Sequence, residues 1–186
     1  MEFFWHIYES EWGNFLIVSS HKGLIKVTLP GESIAIVLNK LSQSRETIMT
    51  FKNTSLIQRT KRQLEEYFSG KRENFYLELD ARGTEFQKKV WKALEKIPYG
   101  KTCSYQDIAQ NISQPKAMRA IGMANNKNPI PLIVPCHRVI GKNGDLVGFG
   151  GGLELKKKLL DLESSVLRKK SLSDGPTHRS IVNATA

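Results

Sequence analysis

The sequence predicts an α+β protein in two parts. A small N-terminal α/β domain would hold a three-stranded antiparallel sheet with helices, and a mainly α-helical second domain would carry a helix-turn-helix. Three observations lead there. The first third is built of short segments rich in aromatic and β-branched residues, separated by Trp12-Gly13 and Lys22-Gly23. After Asp80-Ala81-Arg82-Gly83 the apolar residues recur at helical spacing. Charge is also divided unevenly: residues 1–80 carry ten Lys/Arg and ten Asp/Glu, residues 81–163 fourteen and seven, and residues 164–186 four and one. A neutral front and a basic back suit a second half that meets a polyanion, nucleic acid before membrane, although a merely soluble basic surface would look the same.

Composition narrows the class further. With 40% hydrophobic and 25% charged residues the 186-residue chain is that of an ordinary globular protein. No apolar run approaches the roughly 20 residues of a membrane span. Met1-Glu2-Phe3-Phe4-Trp5-His6 lacks a basic region followed by an apolar stretch, so no signal peptide is expected. Two cysteines, Cys103 and Cys136, are too few for a disulfide framework, which points to free thiols in the cytoplasm.

In the first domain, residues 3–8, 14–19 and 24–29 read as strands, residues 33–43 and 55–68 as helices, and residues 74–79 as a further strand. The helix over 55–68 has a Ser at its start, apolar Leu56, Ile57, Leu64, Tyr67 and Phe68, and Gly70 past its end. In the second domain Thr84-Glu85-Phe86-Gln87 has the form of a capping box. The helix behind it buries Phe86, Val90, Trp91 and Leu94 and stops at Pro98-Tyr99-Gly100. Ser104 caps a short helix with Tyr105, Ile108, Ala109 and Ile112 on its apolar face. Pro115 suits the first position of the next helix, whose small side is Ala117, Ala120, Ile121 and Ala124, with Lys116 and Arg119. Two short helices with a tight turn in a basic region form a candidate helix-turn-helix, or any αα-hairpin. Residues 153–163 return to helix, and residues 164–186 read as a polar, basic, disordered tail.

Three prolines in seven residues, Pro129, Pro131 and Pro135, make the approach to Cys136 rigid and non-helical. Pro135-Cys136-His137-Arg138 sets a thiol beside an imidazole and a guanidinium. A thiolate is the nucleophilic form, and a base or positive neighbours raise its population. Glu163, closing the last helix, is available to hold the far ring nitrogen of His137 in a Cys-His-Glu relay. An isolated Cys-His pair would more often be a buried thiol next to a histidine satisfied by the backbone.

The segment Asn128-Pro129-Ile130-Pro131-Leu132-Ile133-Val134-Pro135-Cys136-His137-Arg138-Val139-Ile140-Gly141 resembles the active-site signature of the O6-alkylguanine-DNA alkyltransferases. Arg82-Gly83-Thr84-Glu85-Phe86-Gln87, Pro98-Tyr99-Gly100-Lys101-Thr102, Ser104-Tyr105, Lys116-Ala117-Met118-Arg119-Ala120-Ile121-Gly122 and Gly152-Leu153-Glu154-Leu155-Lys156 are similar to that family's other blocks, in order. The likeness is close over residues 81–163 and loose before them. It implies an RNase H-like first domain, a structural unit over residues 1–80, and a winged-helix-like DNA-binding and catalytic domain over 81–163.

By the same resemblance Cys136 would take the alkyl group from O6-alkylguanine, and less surely from O4-alkylthymine, as a thioether in one irreversible turnover. His137 would accept the thiol proton through a water while Glu163 orients the ring. Tyr105 would protonate the leaving oxygen and Asn128 would support the active-site turn. Arg119 would fill the gap left by a flipped nucleotide while its helix lies in the minor groove of double-stranded DNA. Lys116, Ser104, Ala120 and Gly122 would accompany it on the DNA, and Pro131, Val139, Phe149 and Gly150 would line the base pocket.

Departures from the family also matter. The first 102 residues hold no cysteine and only His6 and His21, so the zinc site of some members is not expected, nor any metal or cofactor. Cys103 reads as a buried inert thiol. The protein would act as a monomer. The competing readings are a lesion binder that performs no chemistry, a transcription regulator reading sequence through residues 114–126, and a cysteine hydrolase. The presence of Cys136 argues against the first, and the Pro-Cys-His-Arg segment is unexplained by the second.

Overall fold

The computed structural model describes residues 1–43 and 46–173. Strands β1 (Glu2–Ser10) and β2 (Gly13–Ser19) form an antiparallel hairpin in which Ser10 faces Gly13 across a two-residue turn. Gly13 has φ +109°, and a Cβ there would lie 2.8 Å from Cβ of Pro30, so both the turn and this close approach require glycine. Strand β3 (Leu24–Val27) pairs antiparallel with β2.

The chain then forms α1 (Ile34–Leu41), capped by the Ser33 side chain, and crosses to β4 (Ile48–Phe51), which pairs parallel with β1. The sheet therefore has the order β3-β2-β1-β4 and contains one strand beyond the three expected. Ile48 and Phe51 are both exposed, at 63% and 61%, so β4 lacks the alternation of buried and exposed residues that marks a strand in sequence.

Residues 74–79 run beside β3 but make only the Leu24–Leu79 bridge, not the strand expected. A side chain takes the place of a partner strand: Gln63 donates to the Tyr76 carbonyl (3.1 Å) and accepts from its amide (2.9 Å).

Helix α2 (Ser55–Phe68) is capped by Thr54, one residue before the serine expected in that role. Helix α1 covers one sheet face through Val37, Leu38 and Leu41, over Phe3, Leu16, Val18 and Ile25. Helix α2 covers the other, placing Ile57, Leu64 and Tyr67 against Phe15, Ile17 and Leu24. Both faces of β2 are thus buried, which explains its unbroken apolar run. The α2 face is continuous with the interior of the second half, including Val90, Trp91, Ile108, Ile121 and Ile130, so one core joins both parts.

In the second half, α3 (Glu85–Leu94) starts at a capping box in which Thr84 and Gln87 satisfy each other's backbone amides. Ser104 and Asp107 form another at the start of α4 (Tyr105–Asn111), each cap being worth about 1 kcal/mol. Helix α4 ends in a Schellman turn: the Ser113 amide donates to Gln110 (2.9 Å), that of Gln114 to Ala109 (2.8 Å), and Ser113 takes φ +58°.

The turn occupies Pro115 and Lys116, so α5 (Met118–Asn126) begins three residues after the proline rather than at it. Ala117, at its N-cap, supplies no side-chain cap. A single turn of 3-10 helix (Cys136–Arg138) leads into β6 (Val139–Ile140), which pairs parallel with β5 (Cys103–Ser104).

The last helix, α6 (Gly152–Ser173), runs ten residues past Glu163, so the start of the expected tail is helical. Val166 and Leu167 pack onto the core there, which gives the extra turns an apolar side to bury. Residues 174–186 of that expected tail lie outside the described residues.

Candidate active site

Backbone geometry fixes Cys136. The Asn128 carboxamide donates to the Val134 carbonyl (2.8 Å) and accepts from the Ile130 amide (3.0 Å), closing the proline-rich loop on itself. The Pro129 carbonyl accepts from Val27, tying this loop to β3 (2.9 Å). Leu132, fully buried, sits at φ +73°, a strained conformation for a leucine. Pro135 (φ −81°, ψ 63°) then makes an inverse γ-turn, with the Cys136 amide donating to Val134 at 2.8 Å. Asn125 of α5 donates to the Cys136 carbonyl (3.4 Å).

Cys136 is 4% exposed. Burial pushes its thiol up to about 11, against the opposing pull of Asn128, Lys156 and the backbone amides of Cys136 and His137. The expectation that Arg138 activates the thiol is corrected: its guanidinium turns away to Glu163 and to the Ile97 carbonyl (2.7 Å). The buried Lys156 ammonium is the cation that acts on the thiol, and it donates to the Val139 and Val147 carbonyls at 2.6 Å each.

His137 is fully buried. Its Nε2 donates to Glu163 Oε1 at 2.9 Å, while Nδ1 is buried and makes no hydrogen bond among the described residues. Burial lowers the imidazole pKa, Glu163 raises it, and Arg138 and Lys156 lower it further. Glu163 is saturated. Besides His137 it accepts from Arg138 Nη2 (2.9 Å) and Nε (3.1 Å), the Gly100 amide (2.8 Å) and the Tyr67 hydroxyl (2.8 Å). Burial alone would raise its pKa, but the hydrogen bonds and charge of His137 and Arg138 outweigh that and hold it at about 2. Gly100 has φ +69°, a left-handed conformation that favours glycine, where the chain passes against the Leu167 side chain of α6.

An apolar cavity of about 930 Å³ opens between α4, α5 and the loop before α6; Cys136, His137 and Glu163 are not among its walls, and Tyr105 and Phe149 are the wall residues next to them. Ser104, Tyr105, Arg119, Gly122, Lys142 and Phe149 are among its walls. Tyr105 links the cavity to Cys136: burial raises its pKa, Asn125 lowers it, and the Cys136 charge raises it again. The Phe149 ring stands edge-on to His137 at 6.5 Å. Pro131, Val139 and Gly150, expected in the pocket, do not line this cavity, and Val139 is 0% exposed in β6. Lys116 and Ala120 lie on the same stretch but outside its walls.

Two family models match the chain. The 6-O-methylguanine DNA methyltransferase ribonuclease-like domain covers residues 3–81, and the DNA binding domain of the same proteins covers residues 85–165. The chain belongs to the 6-O-methylguanine DNA methyltransferase family.

Among its relatives, the methylated-DNA–protein-cysteine methyltransferase of Methanosarcina acetivorans is 46% identical over 87% of this chain and 99% of its own length. The constitutive enzyme of that name from Bacillus subtilis is 49% identical over 68% of this chain and 78% of its own. A crystal structure of Mycobacterium tuberculosis OGT in complex with DNA superposes with a TM-score of 0.73 at 38% identity, covering 89% of this chain and 94% of that one.

In this member of the 6-O-methylguanine DNA methyltransferase family, the structure brings together Cys136, His137, Glu163, Tyr105 and Asn128 as grouped from sequence. Sequence reasoning missed Tyr67, Gly100, Asn125 and the buried charge of Lys156. Lys156 alone carried a signal, since it stands three residues before the buried Leu159, on the face of α6 that packs on the core.

Proposed function

We propose that this chain repairs duplex DNA by moving the alkyl group of O6-alkylguanine onto Cys136 Sγ, once per molecule. The observation that carries this reading is the buried Cys136, His137 and Glu163 cluster reached through Tyr105 and Phe149 from a cavity whose wall also holds an exposed arginine, Arg119. In the transfer a sulfur–carbon bond forms as the carbon–O6 bond breaks. The thiol proton leaves to His137 Nδ1 through a water, and Tyr105 gives its proton to the departing guanine oxygen. Return of the His137 proton to Tyr105 leaves a neutral thioether and a repaired base. With a thiol at about 11, proton loss is coupled to substrate binding rather than complete beforehand.

The partner is double-stranded DNA, with α5 laid in the minor groove and Arg119 occupying the space of the flipped nucleotide. The uncapped amino end of α5 and the exposed Lys116 favour phosphate there. Residues 1–80 support the catalytic half over residues 81–163, and the protein acts as a cytoplasmic monomer. Among the described residues no helix is long and apolar enough to cross a membrane.

Intact mass after incubation with a duplex containing O6-methylguanine tests the reading. One added methyl, mapped to Cys136 and absent from Cys136→Ala, is expected; tight lesion binding without mass change would make the protein a recognition factor instead.

A further inference from the structure

We propose that Tyr67, on α2 of the N-terminal half, is a positioning residue for alkyl transfer: its hydroxyl holds Glu163 and through it fixes the tautomer and basicity of His137. The inference rests on the reading of Cys136 as acceptor.

Tyr67 is 0% exposed, and its ring is held by Phe68, Phe75 and Tyr99 at centroid distances of 5.5, 5.4 and 6.0 Å. Its oxygen lies 2.8 Å from Glu163 Oε1 and 3.4 Å from His137 Nε2. Burial, then Glu163, push the phenol well above its ordinary range, so it stays a neutral donor. A phenol has one proton, and a carboxylate can only accept. That proton therefore goes to Glu163, and the phenol oxygen presents a lone pair to Nε2. Both oxygens facing Nε2 are then acceptors, which requires the hydrogen on Nε2 and leaves the lone pair on Nδ1, the nitrogen without a hydrogen bond among the described residues.

Tyr67 also sets how strongly the ring holds a second proton. The charged and titratable groups facing His137 are Glu163 and Lys156 from α6, Arg138 and Cys136 from its own turn, and Tyr67 from α2. Glu163 favours the imidazolium; Lys156 and Arg138 oppose it. By donating to Oε1 at 2.8 Å the Tyr67 hydroxyl draws charge from the carboxylate that favours protonation, and this outweighs the opposite effect of its own lone pair, which lies farther from Nε2 at 3.4 Å. The N-terminal half thereby keeps the base neutral and able to receive the thiol proton.

The test is Tyr67→Phe, which keeps the ring and removes the hydroxyl. Single-turnover methylation of Cys136 is followed by mass from about pH 5 to 9, and His137 is titrated by ring-nitrogen NMR in both proteins. Loss of the hydroxyl should raise the His137 midpoint, and with it the acid limb of the rate, by about one unit, the size of one hydrogen bond to a charged group. A uniform rate loss with an unmoved limb, or a downward shift, would overturn the proposal. So would an Nδ1–H tautomer in the unsubstituted protein, a measurement that stands even if the variant folds poorly. No methyl on Cys136 in the unsubstituted protein would defeat the functional reading, while the NMR titration would still decide the role of Tyr67.

Discussion

Replacing Glu163 by Gln keeps the shape of the side chain and removes its charge. Glu163 is 0% exposed and its partner Arg138 only 6%, so the substitution strands a guanidinium inside the core. It also turns one acceptor oxygen into an NH2 that faces donors, since both carboxylate oxygens accept in the native arrangement. Breaking a buried pair from one side costs about 3–5 kcal/mol. In a chain of this size each kcal/mol lowers the unfolding midpoint by about 2–4 °C, so a fall of roughly 6–20 °C is expected by calorimetry. Methyl transfer should slow by about 10²- to 10⁴-fold, because His137 loses the group that orders it as a base. The paired variant Glu163→Leu with Arg138→Met should not recover the midpoint, because Tyr67, Gly100 and His137 lose their acceptor and the Ile97 carbonyl its donor, and transfer stays slow. A midpoint shift below about 2 °C, less than one kcal/mol produces here, would refute the account of Glu163 as the hub of the buried network.

Arg119→Ala should slow repair in a duplex more than reaction with free O6-benzylguanine, measured side by side in single turnovers; equal losses would remove Arg119 from any part in extruding the base. Stability at alkaline pH follows from the thiol. An unfolded cysteine titrates near about 8.5, whereas Cys136 does so at about 11, so the folded state keeps a proton that the unfolded chain releases. Stability should therefore fall as pH rises from about 8.5 towards 11, and denaturant titrations of Cys136→Ser should show a shallower fall. Cys103, also raised to about 11, supplies the part that persists.

Local chemistry was legible in the sequence. The Thr84–Gln87 capping box, the Ser104 cap and the rigid prolines before Cys136 are written in neighbouring residues, and the structure has each of them. What escaped notice involves distant partners. Tyr67 meets Glu163 across 96 residues of chain, and as an apolar-face residue of α2 it looked like core alone. Strand β4 hid because Ile48 and Phe51 at its two ends are both exposed, and residues 74–79 pair through the Gln63 side chain instead of a strand. The delayed start of α5 reflects the turn over Pro115 and Lys116, closed by the Ala117 amide on the Gln114 carbonyl at 2.9 Å, which follows the Schellman end of α4 at Ser113. Arg138 shows the opposite error: closeness in sequence suggested action on the thiol, but a two-residue step around a 3-10 turn aims it elsewhere.

The attachment of α5 has a mechanical consequence. The Trp91 indole donates to the Ala124 carbonyl at 2.9 Å, and the next residue, Asn125, holds the carbonyl of Cys136. The opposite end begins at an uncapped Ala117 and the exposed Met118. The helix is thus tied by side-chain hydrogen bonds at its carboxyl end, while its amino end has no side-chain cap. Under the proposed docking of α5 on a duplex, any displacement of this helix would reach the Cys136 backbone through the single side chain of Asn125.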